Sequence, residues 1–206
     1  MLVFYKARLA FLSVPKTGST AYIEALSPLA DIVFSGPPQL KHAPVYRYDR
    51  FVQPMLKKVC QAEMEVLAVM RAPLDWLGSW YRYRRRPDLS EHIQSTSGIS
   101  FDEFVRAHLQ DSPPEFAAVG RQSRFLEAGS NGSRVTYLFA YEHPERLTRF
   151  LQQRLEHRFE TQRLNVSPAG DLDLDPATER LFAQHYAADI KLYEHALNRT
   201  VSGYDP

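Results

Sequence analysis

Short apolar runs and amphipathic stretches alternate along this chain. The first fourteen residues are apolar but carry Lys6 and Arg8 in their middle, which splits them into two short strands. The second, Leu9 to Val14, stops at Pro15 and has the pattern of a buried strand. A helical pattern follows from about Ala21 to Leu29. Ile32 to Phe34 reads as another short strand, closed by a turn at Gly36, Pro37 and Pro38. Tyr48 to Gln61 has helical spacing. Val66 to Met70 is a clear buried strand that ends at Arg71 and Pro73, and Leu74 to Arg85 is a helix with Trp76 and Trp80 one turn apart. Pro87 to Gly98 is polar and aperiodic, the pattern of a mobile loop. Ser100 and Glu103 have capping-box spacing and open a further helix. Glu115 to Ala128 is expected to be helical and Val135 to Ala140 a strand. Pro144 and Pro176 each stand at a first helical position, the last helix reaching about Leu197.

Strands alternating with helices predict an α/β fold: a parallel sheet of about four to five strands with helices on both faces. Neither a repeat nor a long linker divides the chain, so residues 1–206 are expected to form a single domain.

Composition narrows the chemistry. Hydrophobic residues make up 44% of the chain and charged residues 24%, ordinary values for a globular protein. A formal net charge of +1 offers no global field for nucleic acid or membrane, so anion binding must come from local clusters. No apolar run approaches the ~18–20 residues of a membrane span, and a secretory leader is not expected, which makes a cytoplasmic location the expectation. The Asn-x-Ser/Thr matches at Asn131, Asn165 and Asn198 are then chance. The single cysteine, Cys60, argues against a disulfide within the chain and a cysteine-based zinc site; it reads as a core residue.

Phe11 to Thr20 carries the strongest chemical signal. A strand runs into a tight loop containing Gly18, and a helix begins at Ser19 or Thr20. The backbone N–H groups at such a helix start point outward and carry partial positive charge. Lys16 adds a full charge, and Thr17, Ser19 and Thr20 are expected to add hydroxyl donors. The loop differs from the nucleotide triphosphatase pattern: the lysine precedes the glycine, and Phe11 stands five residues before Lys16. The segment resembles the 5′-phosphosulfate loop of sulfotransferases that use 3′-phosphoadenosine-5′-phosphosulfate (PAPS). The resemblance implies that Lys16 contacts the oxygen bridging sulfur and phosphorus and stabilises charge on the departing phosphate.

A second segment strengthens the likeness. Val66 to Tyr81 contains an apolar strand, Arg71, Pro73, then a helix with Ser79 and Tyr81. It is similar to the family's 3′-phosphate motif, an apolar strand ending in Arg-x-Pro with a serine eight residues after the arginine. Arg71 can offer a planar fork to phosphate from the strand's carboxyl end, and the following helix can bring the Ser79 hydroxyl back over it. The likeness is specific over about Leu9–Leu29 and Val66–Tyr83. Tyr141-Glu142, the segment Leu164 to Ser167, and Asp189 to Tyr193 are looser matches, with Glu142 and Asp189 read as structural. Arg121, Gln122 and Arg124 fall where relatives place residues near the nucleotide.

Sulfuryl transfer to a hydroxyl needs a base. His42, after the second strand on the expected ligand side of the sheet, is expected to fill that role, as several branches of the family place a catalytic histidine there; its ordinary pKa suits the task. His92 and Glu24 are second choices. Tyr81 to Arg86 is a basic, aromatic cluster that either ends a helix in solvent or touches donor phosphates or an acidic acceptor. The implied enzyme has a three-layer P-loop-like fold, binds PAPS with Lys16, Thr17, Gly18, Ser19, Thr20, Arg71 and Ser79, uses Lys16 and His42 in catalysis, and needs no metal. The chain is short for the family, which implies a small, open acceptor site or a partner subunit. A carbohydrate, lipid or small molecule would be the acceptor, with neither nucleic acid nor a membrane span involved. A small-molecule kinase and a non-catalytic nucleotide-binding module are the rival readings.

Overall fold

The computed structural model of the protein describes residues 1–161 and 172–198. Strands β1 (Leu2–Phe4), β2 (Leu9–Phe11), β3 (Ile32–Val33), β4 (Glu65–Met70) and β5 (Val135–Ala140) form one open sheet in the order β3-β1-β2-β4-β5. The sheet is mixed, which corrects the all-parallel expectation. β1 pairs antiparallel with both β2 and β3, whereas β2, β4 and β5 are parallel. The reason lies in chain length. Four residues join β1 to β2, and a parallel connection needs a dozen or more, so that pair can only be a hairpin. Arg8 closes the turn in a left-handed conformation, its N–H bonded to the Tyr5 carbonyl at 3.1 Å.

The helices are α1 (Ser19–Leu26), α2 (Pro38–Lys41), α3 (Val45–Arg47), α4 (Gln53–Cys60), α5 (Pro73–Arg84), α6 (Phe101–His108), α7 (Gln122–Leu126), α8 (Pro144–Arg154), α9 (Pro176–His185) and α10 (Ala187–Asn198). Strand alternation sorts the core onto two faces. Leu2, Phe4, Leu9, Phe11, Leu67, Val69 and Phe139 pack against Tyr22 and Leu26 of α1 and Leu147, Phe150 and Leu151 of α8. Val3, Ala10, Leu12 and Val66 face the other way, against Val45, Tyr48, Val52 and Leu56. Nearer the strand ends that same face carries Ala68, Met70 and Leu138 against Leu126 of α7 and Ala196 of α10. Helices therefore cover both faces, as the alternation of elements implied. A further cluster joins Trp76, Leu77 and Tyr81 of α5 to Phe101, Phe104 and Val105 of α6 and Phe182 of α9.

Several boundaries differ from the sequence reading. Tyr48–Val52 winds as a π-turn before α4. The helix expected over Glu115–Ala128 shrinks to α7, and the last helix breaks at Tyr186 into α9 and α10. The 87–98 segment folds as successive tight turns, tied down by buried Thr96, whose hydroxyl donates to the Tyr81 carbonyl at 2.8 Å. The Leu164–Ser167 match lies outside the described residues. No described helix is long and apolar enough to cross a membrane.

Because β2, β4 and β5 are parallel, their carboxyl ends lie on one edge. The segments leaving them, 12–18, 71–72 and 141–143, meet there. Open α/β sheets bind ligands at this edge.

Candidate functional site

The loop after β2 is shaped from within. Lys16 (φ 65) and Gly18 (φ 70) both adopt the left-handed conformation around Thr17. Such alternation curls successive amides into a concave, anion-attracting surface. It also delivers the chain to α1 with Gly18 as the N-cap. Glycine is required at 18 for two reasons: its backbone is left-handed, and a Cβ there would sit 2.9 Å from Cε2 of Tyr141. Gly18→Ala is expected to destabilise the protein by about 1–2 kcal/mol, read as a lowered midpoint in urea unfolding.

Thr17 and Ser19 behave differently from the expectation. Both are buried, and both hydroxyls donate to the Val14 carbonyl, at 2.9 and 3.4 Å. Their protons hold the loop rather than pointing outward, so what these residues can offer an anion is their backbone N–H. Thr20 is half-buried on the first turn of α1.

Lys16 leans onto α5. Its Nζ lies 4.2 Å from the centre of the Tyr83 ring and 5.8 Å from that of Trp80. The Lys16 ammonium has its pKa lowered to about 8, first by burial and then by repulsion from Arg86, Arg71 and Arg82. Among the described residues, the Trp80 indole N–H is buried without a hydrogen-bond partner.

Arg71, the residue after β4, meets the loop directly. Its Nη1 donates to the Lys16 carbonyl at 3.3 Å, its Nε to Asp75 Oδ2 at 2.5 Å, and its guanidinium stacks 4.4 Å from the centre of the Tyr141 ring. A guanidinium has five N–H groups, so this arrangement leaves a planar edge for an anion. Asp75 also faces Arg82, at 3.5 Å, and thereby links two cations. The Trp76 indole donates to the Pro15 carbonyl at 2.8 Å, tying the start of α5 to the same loop. Ser79 is buried on α5 one turn after Asp75, on the same side of the helix.

His42 also belongs to this edge. Its Nδ1 lies 2.7 Å from the Ser13 carbonyl, one residue before Val14. A carbonyl can only accept, so Nδ1 carries the proton and Nε2 holds the lone pair. Burial lowers the His42 pKa, outweighing the opposing hydrogen bond to Ser13; Lys41 and the amino terminus lower it further. The ring is a neutral base near pH 7. Glu24 and His92 are exposed, on α1 and in the 87–98 segment.

Four further residues complete the site beyond those assigned to it from the sequence. Tyr141 packs against both Gly18 and Arg71. Asp75 fixes the guanidinium. Glu142 accepts from the Ala72 N–H at 2.9 Å, a structural role of the kind expected. Gln122, buried, pairs with both the N–H and the C=O of Arg71, at 3.0 and 2.7 Å. Arg121 is occupied elsewhere, donating to the His185 carbonyl at 2.6 Å and stacking on Tyr186. Arg84 is buried and donates to the carbonyls of Glu115 and Ala118, so within the 82–86 cluster it is a framework residue. Spacing alone could have flagged Asp75, four residues after Arg71 on a helix start; Gln122 and Tyr141 needed the fold.

No protein-family model and no curated protein matches this sequence.

Proposed function

We propose that this protein is a sulfotransferase that takes PAPS as donor and moves its sulfuryl group to a hydroxyl or amine acceptor, releasing 3′-phosphoadenosine-5′-phosphate (PAP). One observation carries the reading: the Lys16 loop and Arg71, 55 residues apart in sequence, touch through a 3.3 Å hydrogen bond at the carboxyl edge of the sheet. A nucleotide with two separate anionic groups could span that junction. The charge balance fits such a ligand. Lys16, Arg71, Arg82 and Arg86 crowd together, and the Asp75 carboxylate pairs with two of them. Unpaired, partly buried cations are costly, and an anion relieves that cost.

In this reading Lys16 and the amides of Thr17 to Thr20 hold the 5′-phosphosulfate, and Arg71 with Ser79 holds the 3′-phosphate. The bound donor supplies an activated sulfuryl group, whose bond to the 5′-phosphate oxygen breaks as a bond to the acceptor oxygen or nitrogen forms. His42 Nε2 takes the acceptor's proton while the Nδ1–H bond to Ser13 keeps the ring oriented. The Lys16 charge stabilises the phosphate that leaves. The chain's own cations supply that charge, so the reaction proceeds without a metal. The strand order, with a phosphate loop after β2, supports a P-loop-like architecture, and we assign the reaction to the cytoplasm.

Thermal shift with PAP against ATP tests the reading. A ligand at 100 times its dissociation constant adds about 2.7 kcal/mol of stability. PAP is expected to stabilise the protein more than ATP, and labelled-donor transfer to a suitable acceptor is expected to survive EDTA. Preference for ATP, or indifference to both, would overturn the proposal.

Lys16 gives a second test. Its pKa is about 8 without ligand, and a bound anion raises it. PAP binding is therefore expected to take up a proton above pH 8 and to weaken as the pH climbs. Calorimetry in buffers of different ionisation enthalpy reads this directly; binding at pH 9 with no proton uptake would rule out contact with Lys16.

A further inference from the structure

Arg71 and Ala72 are gripped by side chains that arrive from later in the chain. The Gln122 amide satisfies both backbone groups of Arg71, and Glu142 Oε1 satisfies the Ala72 N–H. Each of these two side chains leads back to α10. Asp189, fully buried, accepts from the Ser123 N–H at 2.9 Å and the Ser123 hydroxyl at 2.7 Å, immediately beside Gln122. Tyr193 lies beside Glu142: burial and then that carboxylate raise the phenol's pKa. Asp189 and Tyr193 are four residues apart on α10, one turn, so they address the same side of the site.

We propose that α10 is a positioning element for the anion site. Asp189, through Ser123 and Gln122, and Tyr193, through Glu142, together fix the direction in which Arg71 leaves β4. Packing alone does not require this. Leu192 and Ala196 already seat α10 on the core formed by Ala68, Met70 and Leu138, so the helix would dock without either polar chain. What the two chains add is restraint on a single peptide unit. Without them the Arg71–Ala72 amides would bond to water in several conformations, and the guanidinium would lose its fixed place beside Lys16. The ligand consequence rests on the donor-site reading above; the backbone consequence does not.

The test separates the two. Amide hydrogen exchange in the ligand-free full chain is followed by NMR for Ser123→Ala and Tyr193→Phe. Ser123→Ala is expected to speed exchange of the Arg71 amide about tenfold, and Tyr193→Phe that of Ala72, the equivalent of one hydrogen bond to a charged group. The Phe139 amide in β5 reports global stability and stays unchanged. PAP titration then compares each variant in the native and Arg71→Ala backgrounds. A tenfold loss of affinity that disappears when Arg71 is absent supports the relay. Unaltered exchange at Arg71 and Ala72, or an equal loss in both backgrounds, overturns it. If exchange responds but the native protein does not bind PAP, the relay stands and the donor assignment falls. Should Tyr193→Phe fail to fold, Ser123→Ala carries the same comparison.

Discussion

A Lys16→Met variant is expected to be more stable than the native protein and about 100- to 1,000-fold slower in sulfuryl transfer. The two effects share one cause. The Lys16 ammonium is held close to Arg86, Arg71 and Arg82 and is partly buried, which together lower its pKa to about 8. Below that pH the charge is present and destabilises the fold. The methionine stem keeps the contacts with the Trp80 and Tyr83 rings and removes the repulsion. The same repulsion makes the lysine useful, because a bound phosphosulfate turns it into attraction. Loss of one donor aimed at developing negative charge typically costs about 100- to 1,000-fold in rate. The sign with pH follows. The unfolded lysine titrates near its ordinary value of 10.5 and the folded one near 8. The unfolded chain therefore binds more protons across that interval, and native stability rises from pH 8 to 10.5. The stability advantage of Lys16→Met is expected to shrink over the same range. Denaturation at several pH values, beside a transfer assay, measures both. A variant that is less stable at pH 7, or that transfers at the native rate, would contradict this account of the site.

How much of this was visible before the structure depends on which physical rule governs each part. The strand-loop-helix at Phe11–Thr20 and the strand-Arg-helix at Val66–Tyr81 were legible because each is a local pattern: an apolar run, a breaker, then amphipathic spacing. Their meeting was also foreseeable, since parallel strands place both loops on one edge. The antiparallel hairpin was missed although its cause, a four-residue connection, is in the sequence; alternation of strands with helices outweighed it. The hydroxyls of Thr17 and Ser19 were expected to face a ligand and instead brace the Val14 carbonyl. Composition cannot say which way a hydroxyl rotates in a loop whose φ angles are unknown. Gln122 was noted only as a residue in the right region. Its pairing with Arg71 spans 51 residues and depends on how α7 docks, which no local pattern encodes. His42 was named for its place in the chain; the hydrogen bond that fixes its tautomer comes from a carbonyl 29 residues away.

That hydrogen bond shapes the second large expectation, for His42→Ala. Transfer is expected to fall about 100- to 10,000-fold, the range for losing a general base, while PAP affinity stays within about twofold because the phosphate-binding groups are elsewhere. A rate loss by itself would not prove the role, since the substitution also leaves the Ser13 carbonyl without its partner. The pH profile discriminates. Burial holds the folded His42 pKa below 6.5, so the native rate should rise with pH below neutrality and level off as the ring becomes fully neutral. Measured as kcat/KM, which reports the free enzyme, it should fall again when Lys16 loses its proton near pH 8; with the donor bound that limb moves higher. His42→Ala removes the first limb and leaves the second, because the group whose titration produces the acidic limb is gone. A histidine that merely braced Ser13 would lower the rate by a constant factor and leave both limbs in place. Linkage supplies an independent reading. The unfolded histidine protonates near 6.5 while the folded one resists, so native stability declines as pH falls below 6.5, and the alanine variant lacks that share of the decline. Both limbs surviving in His42→Ala would transfer the base role to another residue, with Arg71 and Lys16 keeping theirs.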